Sequence, residues 1–321
     1  MKSVFISLLI LFSSHLLSAD AKKAKFNKVK IKEKVSNYFV KKEEKNFSLL
    51  LEARRFARGE AIFFRLTPKD RKWINETFKV VWMGKDVILT KQGHSFIAFF
   101  AISPDFAGGP MTLDIHSKIL FVKRGTKTYQ IDLEPTKFQI IKKHTITVDN
   151  KFVTDELSPE TLEFIKECKK AKEVAFSNDT KLQFNDRFRN PLESIHITSR
   201  FYVRRDYNNK KGRPHGGVDF RGKIGTPILA IQEGTVVLAQ KMYYEGNFTI
   251  IDHGHKIFSF YMHQDEIKVK VGERVKKGQV VGTIGSTGMS TGPHLHLGAK
   301  IADTLVDPLS VIAIQSIAEN K

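Results

Sequence analysis

His294-Leu295-His296 sets two imidazoles two residues apart, and His215-Gly216-Gly217-Val218-Asp219 sets an imidazole and a carboxylate four apart. In a strand, residues i and i+2 share a face, so His294 and His296 can point into one cleft. Neutral imidazole and carboxylate are the usual ligands of a catalytic zinc, which keeps three protein ligands and one open position. These four groups therefore offer one metal site with one group to spare for proton transfer. Tyr261-Met262-His263 brings a fifth candidate to the end of another apolar run. Bound zinc lowers the pKa of water to about 7. A nearby imidazole can take up the proton and pass it to a leaving amine, and another can stabilise an oxyanion. Spacing alone does not choose between His294 and His296 as the ligand.

Singly, H-x-H and H-x-x-x-D are weak signals in a chain with eleven histidines. Their strength lies in falling in one region among turn glycines. No Ser/His/Asp elbow is present, and Cys168 lies in a different region, so nucleophilic catalysis is the weaker scheme. As the only cysteine, Cys168 excludes an intramolecular disulfide. It reads as a small buried apolar residue on a helix.

The elements that must position these groups are short strands. From about residue 186, Ile228–Gln232, Thr235–Lys241, Thr249–Asp252, Ile257–Met262, Val280–Ile284 and Leu295–Ile301 alternate with glycine-marked turns. Nothing there has the helical period that a parallel α/β sheet needs. Between about 49 and 153, seven or eight further short strands with regular turn signals predict an antiparallel sandwich. Ser158-Pro159 is a helix start, and Leu162, Ile165, Cys168 and Ala171 follow at helical spacing, which predicts a helix over 159–175.

At 321 residues the chain can form two domains with proper cores. Lys2, the apolar run Val4–Leu17 and Ala19-Asp20-Ala21 have the order of a cleaved secretory signal. No other span is long enough to cross a membrane, so no stable span is expected after cleavage. The formal charge is +19, and cleavage after Ala21 leaves it unchanged by removing one Lys and one Asp. For an exported chain such a surface points to a polyanionic envelope rather than to nucleic acid.

The stretch from about 197 to 308 resembles the catalytic domain of the LytM/lysostaphin-type zinc metallopeptidases. The resemblance rests on Ile197-Thr198-Ser199-Arg200-Phe201, Arg204-Arg205-Asp206-Tyr207-Asn208, H-G-G-V-D-F (215–220), G-T-P-I-L-A (225–230) and E-G-T-V (233–236). It continues through Gly246-Asn247, I-D-H-G (251–254), Y-M-H (261–263), V-G-E-R-V-K-K-G-Q (271–279) and S-T-G-P-H-L-H (290–296). It implies an antiparallel β domain with one zinc in a long groove, held by His215, Asp219 and His296. It further implies His294 as general base, His263 as the group that stabilises the transition state, and His253 as structural. The implied substrate is peptidoglycan, with a D-Ala–diaminopimelate amide as the expected bond. Tyr202 stands where the family usually has glycine, which is expected to narrow the groove or change the peptide that fits. The run 95–113 is similar to a small sandwich domain that precedes some exported members, and such a domain is expected to lie against the groove and limit access.

A catalytically silent, wall-binding relative that activates a partner hydrolase is the alternative. It is disfavoured because such relatives lose ligands and here all five functional positions are filled. Action alone, as a homodimer or with a paralogue is left open. The expected fold is mainly β, and the expected division is a signal segment at 1–21, a basic arm at 22–48 and a β-sandwich at 49–155. A helical connector at 156–185, the zinc metallopeptidase domain at 186–310 and a tail at 311–321 follow.

Overall fold

Apolar runs broken by turn residues produce two packed sheets in the amino-terminal half of the molecule. The structure is a computed structural model that describes residues 37–69, 76–119, 122–208 and 210–318. The expected signal segment and the first part of the basic arm, residues 1–36, lie outside the described residues. One sheet runs in the order Tyr38–Glu43, Phe47–Ala53, Ala61–Pro68, Ser95–Ala101, Thr90–Gln92. The other runs Lys85–Val87, Glu76–Trp82, Met111–Ile119, Val122–Ile131. Leu51, Ile62, Phe64 and Phe100 from the first face Val80, Trp82 and Leu113 from the second. Trp82 stacks on Phe100 with ring centres 4.8 Å apart. This is the expected sandwich.

The carboxy-terminal half is built on one larger sheet, ordered Ile197–Ser199, Val218–Arg221, His294–Ile301, Ile257–Ile267, Gly246–Asp252, Gly234–Met242, Arg274–Val275, with neighbours antiparallel. Helix α1, Pro159–Ser177, is capped by Ser158 as expected. It lays Cys168 and Ala175 against Leu238, Met242, Phe248 and Phe260 on that sheet. Cys168 is therefore a small core residue. Among the described residues no helix is long and apolar enough to cross a membrane.

Three expected boundaries move. Tyr38–Glu43 belongs not to a solvated arm but to a strand paired with Phe47–Ala53. Its lysines Lys41 and Lys42 are exposed, and charge on an outermost strand resists pairing with other chains. Ile140–Ile146, expected within the sandwich, leaves it and pairs in parallel with Arg204–Tyr207. Residues 311–317 are not a tail. Helix α2, Pro308–Ala313, is followed by the fully buried Ile314 and Ile317. The buried Glu52 carboxylate accepts from the Gln315 and Ser316 amides at 2.8 and 2.7 Å. Arg65 donates to the Ser316 carbonyl at 2.8 Å.

This last segment lies in a joint between the two halves. Strand Ala61–Pro68 is buried on both faces, which is why it reads as a continuous apolar run. Ile62 and Phe64 face the sandwich interior, while Ala61 and Phe63 enter the core that holds Phe184, Phe201 and Ile314. Arg54 pairs with both Glu60 and Asp307, at 2.6 and 2.7 Å. The sandwich thus supplies part of the core of the carboxy-terminal half.

Candidate metal centre

Strand register places the first two groups. Val218–Arg221 pairs antiparallel with His294–Ile301 so that Asp219 lies directly opposite His296. Side chains of such a pair stand on one face of the sheet. His294 shares that face two residues away, and Leu295 between them is fully buried in the core. His215 reaches the same point from the turn before the strand, where its amide donates to the Val203 carbonyl at 3.0 Å. Gly217 makes the approach possible, since a Cβ there would sit 2.6 Å from His296 Nε2 and 2.2 Å from the Leu297 carbonyl oxygen.

His263 arrives by a less regular route. Met262 lies opposite His296, so plain alternation would turn His263 to the other face. The pairing of Ile257–Ile267 with Gly246–Asp252 shifts register between Asn247 and Thr249, and His263 has φ +61°. This bulge, with one extra residue on the His263 strand, re-aims the side chain into the cleft.

The resulting geometry separates the four histidines. His215 Nε2, Asp219 Oδ1 and His296 Nδ1 are mutually 2.9 Å apart, and all three residues are buried. His215 Nδ1 lies 2.9 Å from the Arg200 carbonyl oxygen and donates to it, which leaves Nε2 with a lone pair. With the imidazole neutral, this lone pair and the carboxylate oxygen 2.9 Å away are two acceptors that a shared cation would satisfy. The buried His296 Nε2 has no hydrogen-bond partner, so the ring's polar contacts all run through Nδ1. The donor set fits a divalent metal. His294 stands back, with Nε2 3.8 Å from Asp219 Oδ1. Its Nδ1 donates to the Gly292 carbonyl at 2.7 Å. His263 Nδ1 donates to the Thr287 carbonyl at 2.8 Å, and its ring centre is 4.8 Å from that of His294.

Electrostatics follow from burial and pairing. Burial alone would push Asp219 up, but His215 and His296 outweigh it and hold the carboxyl well below the usual carboxylate range. Burial pushes His296 down. Burial, with His294 and His296 close by, pushes His263 down to about 3. These imidazoles are neutral near pH 7, as metal ligation requires. Arg205 is a supporting residue that the sequence motif did not single out. Its Nη2 donates to Ser199 Oγ at 3.0 Å and lies 3.4 Å from Asp219 Oδ2, leaving Oδ1 to the cluster.

The cluster opens into a groove of about 550 Å³. Its far wall includes Ile146, Val148 and Val153 from the segment before α1, and Lys172 of α1. Among the described residues, none from the sandwich strands lines it, so the expected cover by the sandwich is not seen in them. Tyr202 does not line it either. Its φ of +61° is a conformation that glycine adopts freely. The ring lies 4.7 Å from that of Phe138 and the hydroxyl donates to Asp105. Tyr202 therefore joins the two halves rather than narrowing the groove. Tyr202→Ala is expected to lower unfolding stability by about 3 kcal/mol and to leave KM for peptide unchanged. Urea unfolding with steady-state kinetics checks both, and a several-fold change in KM at unchanged stability would refute this placement.

His253 stands apart from the cluster. It is fully buried, donates from Nδ1 to the Glu233 carbonyl at 2.7 Å and has Nε2 2.8 Å from Ser259 Oγ. Burial pushes its pKa down to about 4 from 6.5. Folded His253 stays neutral where the unfolded chain is protonated, so its contribution is complete above pH 6.5 and is lost as pH falls through 4. The loss amounts to about 3 kcal/mol. Metal-free protein should show this fall in its urea midpoint between pH 6.5 and 4, and His253→Gln should flatten it. Parallel curves for the two proteins would exclude His253 as the source.

A β-built site of two imidazoles and a carboxylate, flanked by two further histidines, defines a metallopeptidase type of centre. Residues 213–308 match Peptidase family M23, so this region is similar to that family's peptidase domain. It is 42% identical over 110 residues to the peptidoglycan DD-endopeptidase ShyA of Vibrio cholerae, covering 34% of this chain and 26% of that one. It is 36% identical over 121 residues to the DD-carboxypeptidase/endopeptidase Mpg of Neisseria meningitidis, covering 38% and 28%. The matches thus span only about a quarter of those relatives. A solved Pseudomonas aeruginosa structure assigned to peptidase M23 shares the fold, with TM-score 0.57 and 23% identity over 81% of this chain and 96% of that one.

Proposed function

We propose that the chain is an exported, zinc-dependent endopeptidase that hydrolyses amide bonds in peptidoglycan stem peptides or their cross-links, with a D-Ala–diaminopimelate bond as its target. One observation carries this reading. Three candidate ligand atoms converge at 2.9 Å beside two non-converging histidines, inside the region that matches the metallopeptidase family. The name of ShyA, a peptidoglycan DD-endopeptidase, supports peptidoglycan as the substrate. The run Val4–Leu17 before Ala19-Asp20-Ala21 supports export to the periplasm or cell envelope.

His215 Nε2, Asp219 Oδ1 and His296 Nδ1 would hold one zinc ion per chain. When bound, zinc acts as a Lewis acid that acidifies water and polarises the scissile carbonyl. The chain's own groups handle the protons. With Nδ1–H committed to Gly292, His294 Nε2 is a bare base at the mouth of the cluster. It accepts a proton from the attacking water and returns it to the leaving amine. His263 is neutral near pH 7 with its one proton on Nδ1 committed to Thr287, so it can support developing negative charge only after taking up a proton at Nε2. Asp219, held ionised by its neighbours, keeps the cluster in its binding state.

Zinc content and muropeptide release from isolated sacculi test the reading on one preparation of the full chain. About one zinc per chain is expected, with release of cleaved cross-links that a chelator abolishes and added zinc restores. A zinc-loaded chain that releases nothing would sink it.

A further inference from the structure

The groove that holds the metal cluster has a second chemical feature in its lining. Lys210, Lys211 and Arg213 line it, and all three are exposed. Beside them lie Ile146, Val148 and Val153. The two parts form one fixed wall. Asn208, in the hairpin that carries the cations, exchanges side-chain hydrogen bonds with the Val148 amide and carbonyl at 2.9 Å, and its amide donates to the Ile146 carbonyl at 3.1 Å. Gly212 tightens the hairpin, since a Cβ there would meet the Arg205 carbonyl oxygen at 2.4 Å.

The charges on this wall are unbalanced. Among the described residues only two carboxylates line the groove, Asp219 in the cluster and Glu245, which is paired with Lys172. Lys210 has Asp155 as a partner outside the groove. Among the described residues, Lys211 and Arg213 have no carboxylate partner. Apolar side chains next to unpaired cations in a concave wall suit a ligand that is small and apolar on one side and anionic on the other.

We infer that this wall is a subsite for a residue of the substrate peptide that carries a free carboxylate beside a small apolar side chain. Lys211 and Arg213 bind the carboxylate through charge-assisted hydrogen bonds, and Ile146, Val148 and Val153 receive the side chain. The inference rests on the endopeptidase reading above and adds the chemistry of the chain bound next to the scissile bond. Two sources present that carboxylate, the carboxy terminus of a stem, with its own side chain, and the α-carboxylate of an acidic residue linked through its side chain, with the apolar side chain supplied by the adjoining residue.

Three cross-linked stem peptides test it with the zinc-loaded full chain. One has all carboxylates free, one has its carboxy terminus amidated, and one has its internal acidic residue amidated. Lys211→Gln/Arg213→Gln should raise KM about tenfold on the free-acid peptide with kcat unchanged. One of the two amidated peptides should show the same tenfold rise with the wild type and no further rise with the variant, which identifies the source. Lys211→Arg/Arg213→Lys should behave as wild type. The subsite is overturned if the variant weakens all three peptides equally or none. If the wild type cleaves no peptide, the endopeptidase reading fails by itself. Calorimetric binding of the same three peptides then still decides the subsite by the same pattern.

Discussion

His296→Ala should leave the protein without its metal and without hydrolytic activity. Zinc content is expected to fall from about one per chain to a small fraction of that after dialysis. Release from sacculi should drop by about 10³-fold or more, the scale of the several kcal/mol that a Lewis acid contributes. The argument is geometric. His296 Nδ1 is 2.9 Å from both other donor atoms, so its removal leaves His215 and Asp219 as a two-donor site. The same change should remove the stabilisation that zinc gives the wild type. That difference is about 4 kcal/mol when free zinc is a thousandfold above Kd. Metal analysis, sacculus digestion and unfolding with and without zinc check the three parts. A variant that keeps full zinc would show that His296 is not a ligand.

How much of this was legible beforehand divides along physical lines. The i, i+2 spacing of His294 and His296 put both on one face, and the fold bears that out because Leu295 between them fills the core. Distance then set them apart, since His296 lies in the converging cluster and His294 stands 3.8 Å from Asp219. No periodicity encodes that difference, which comes from cross-strand register. His263 was legible as a motif but not as a direction, because a bulge and a positive φ reverse the face its position implies. Arg205 fell within a run that carries the resemblance but was given no role, for a second arginine in an Arg-Arg pair looks the same whether it meets solvent or a ligand's carboxylate.

The misplaced boundaries have physical causes. Pattern reading assigns each strand to its neighbours in sequence, whereas Ile140–Ile146 pairs with a strand more than sixty residues on. The carboxy-terminal Ile314 and Ile317 are too few to make a periodic signal, yet they are fully buried at the joint. This joint changes what the sandwich can be. Phe63 and Ala61 complete the core beside Phe184 and Phe201, so deleting residues 22–155 would expose that core and remove the strand that supports Arg204–Tyr207. Such a deletion is expected to cost folding rather than to release an obstructed groove.

His294→Ala should separate binding from chemistry. The residue lies outside the converging atoms, so zinc content should stay at about one per chain. Its Nε2 is the base the cluster leaves free, because Nδ1–H is held by Gly292 at 2.7 Å and Ser290 Oγ stands 3.3 Å away. Losing a positioned acid-base group typically costs about 10²–10⁴-fold in rate, and that fall should appear in kcat with KM little changed. The substitution leaves a small space open to the groove, so unfolding stability in the presence of zinc should remain close to wild type. Added imidazole should restore part of the activity by occupying that space. Zinc lost in parallel with activity would assign His294 to the ligand set. Activity kept at wild-type level would move the proton transfer to His263, whose ring centre lies 4.8 Å away. The two single substitutions therefore resolve the H-x-H pair into a ligand and a base by two independent readouts.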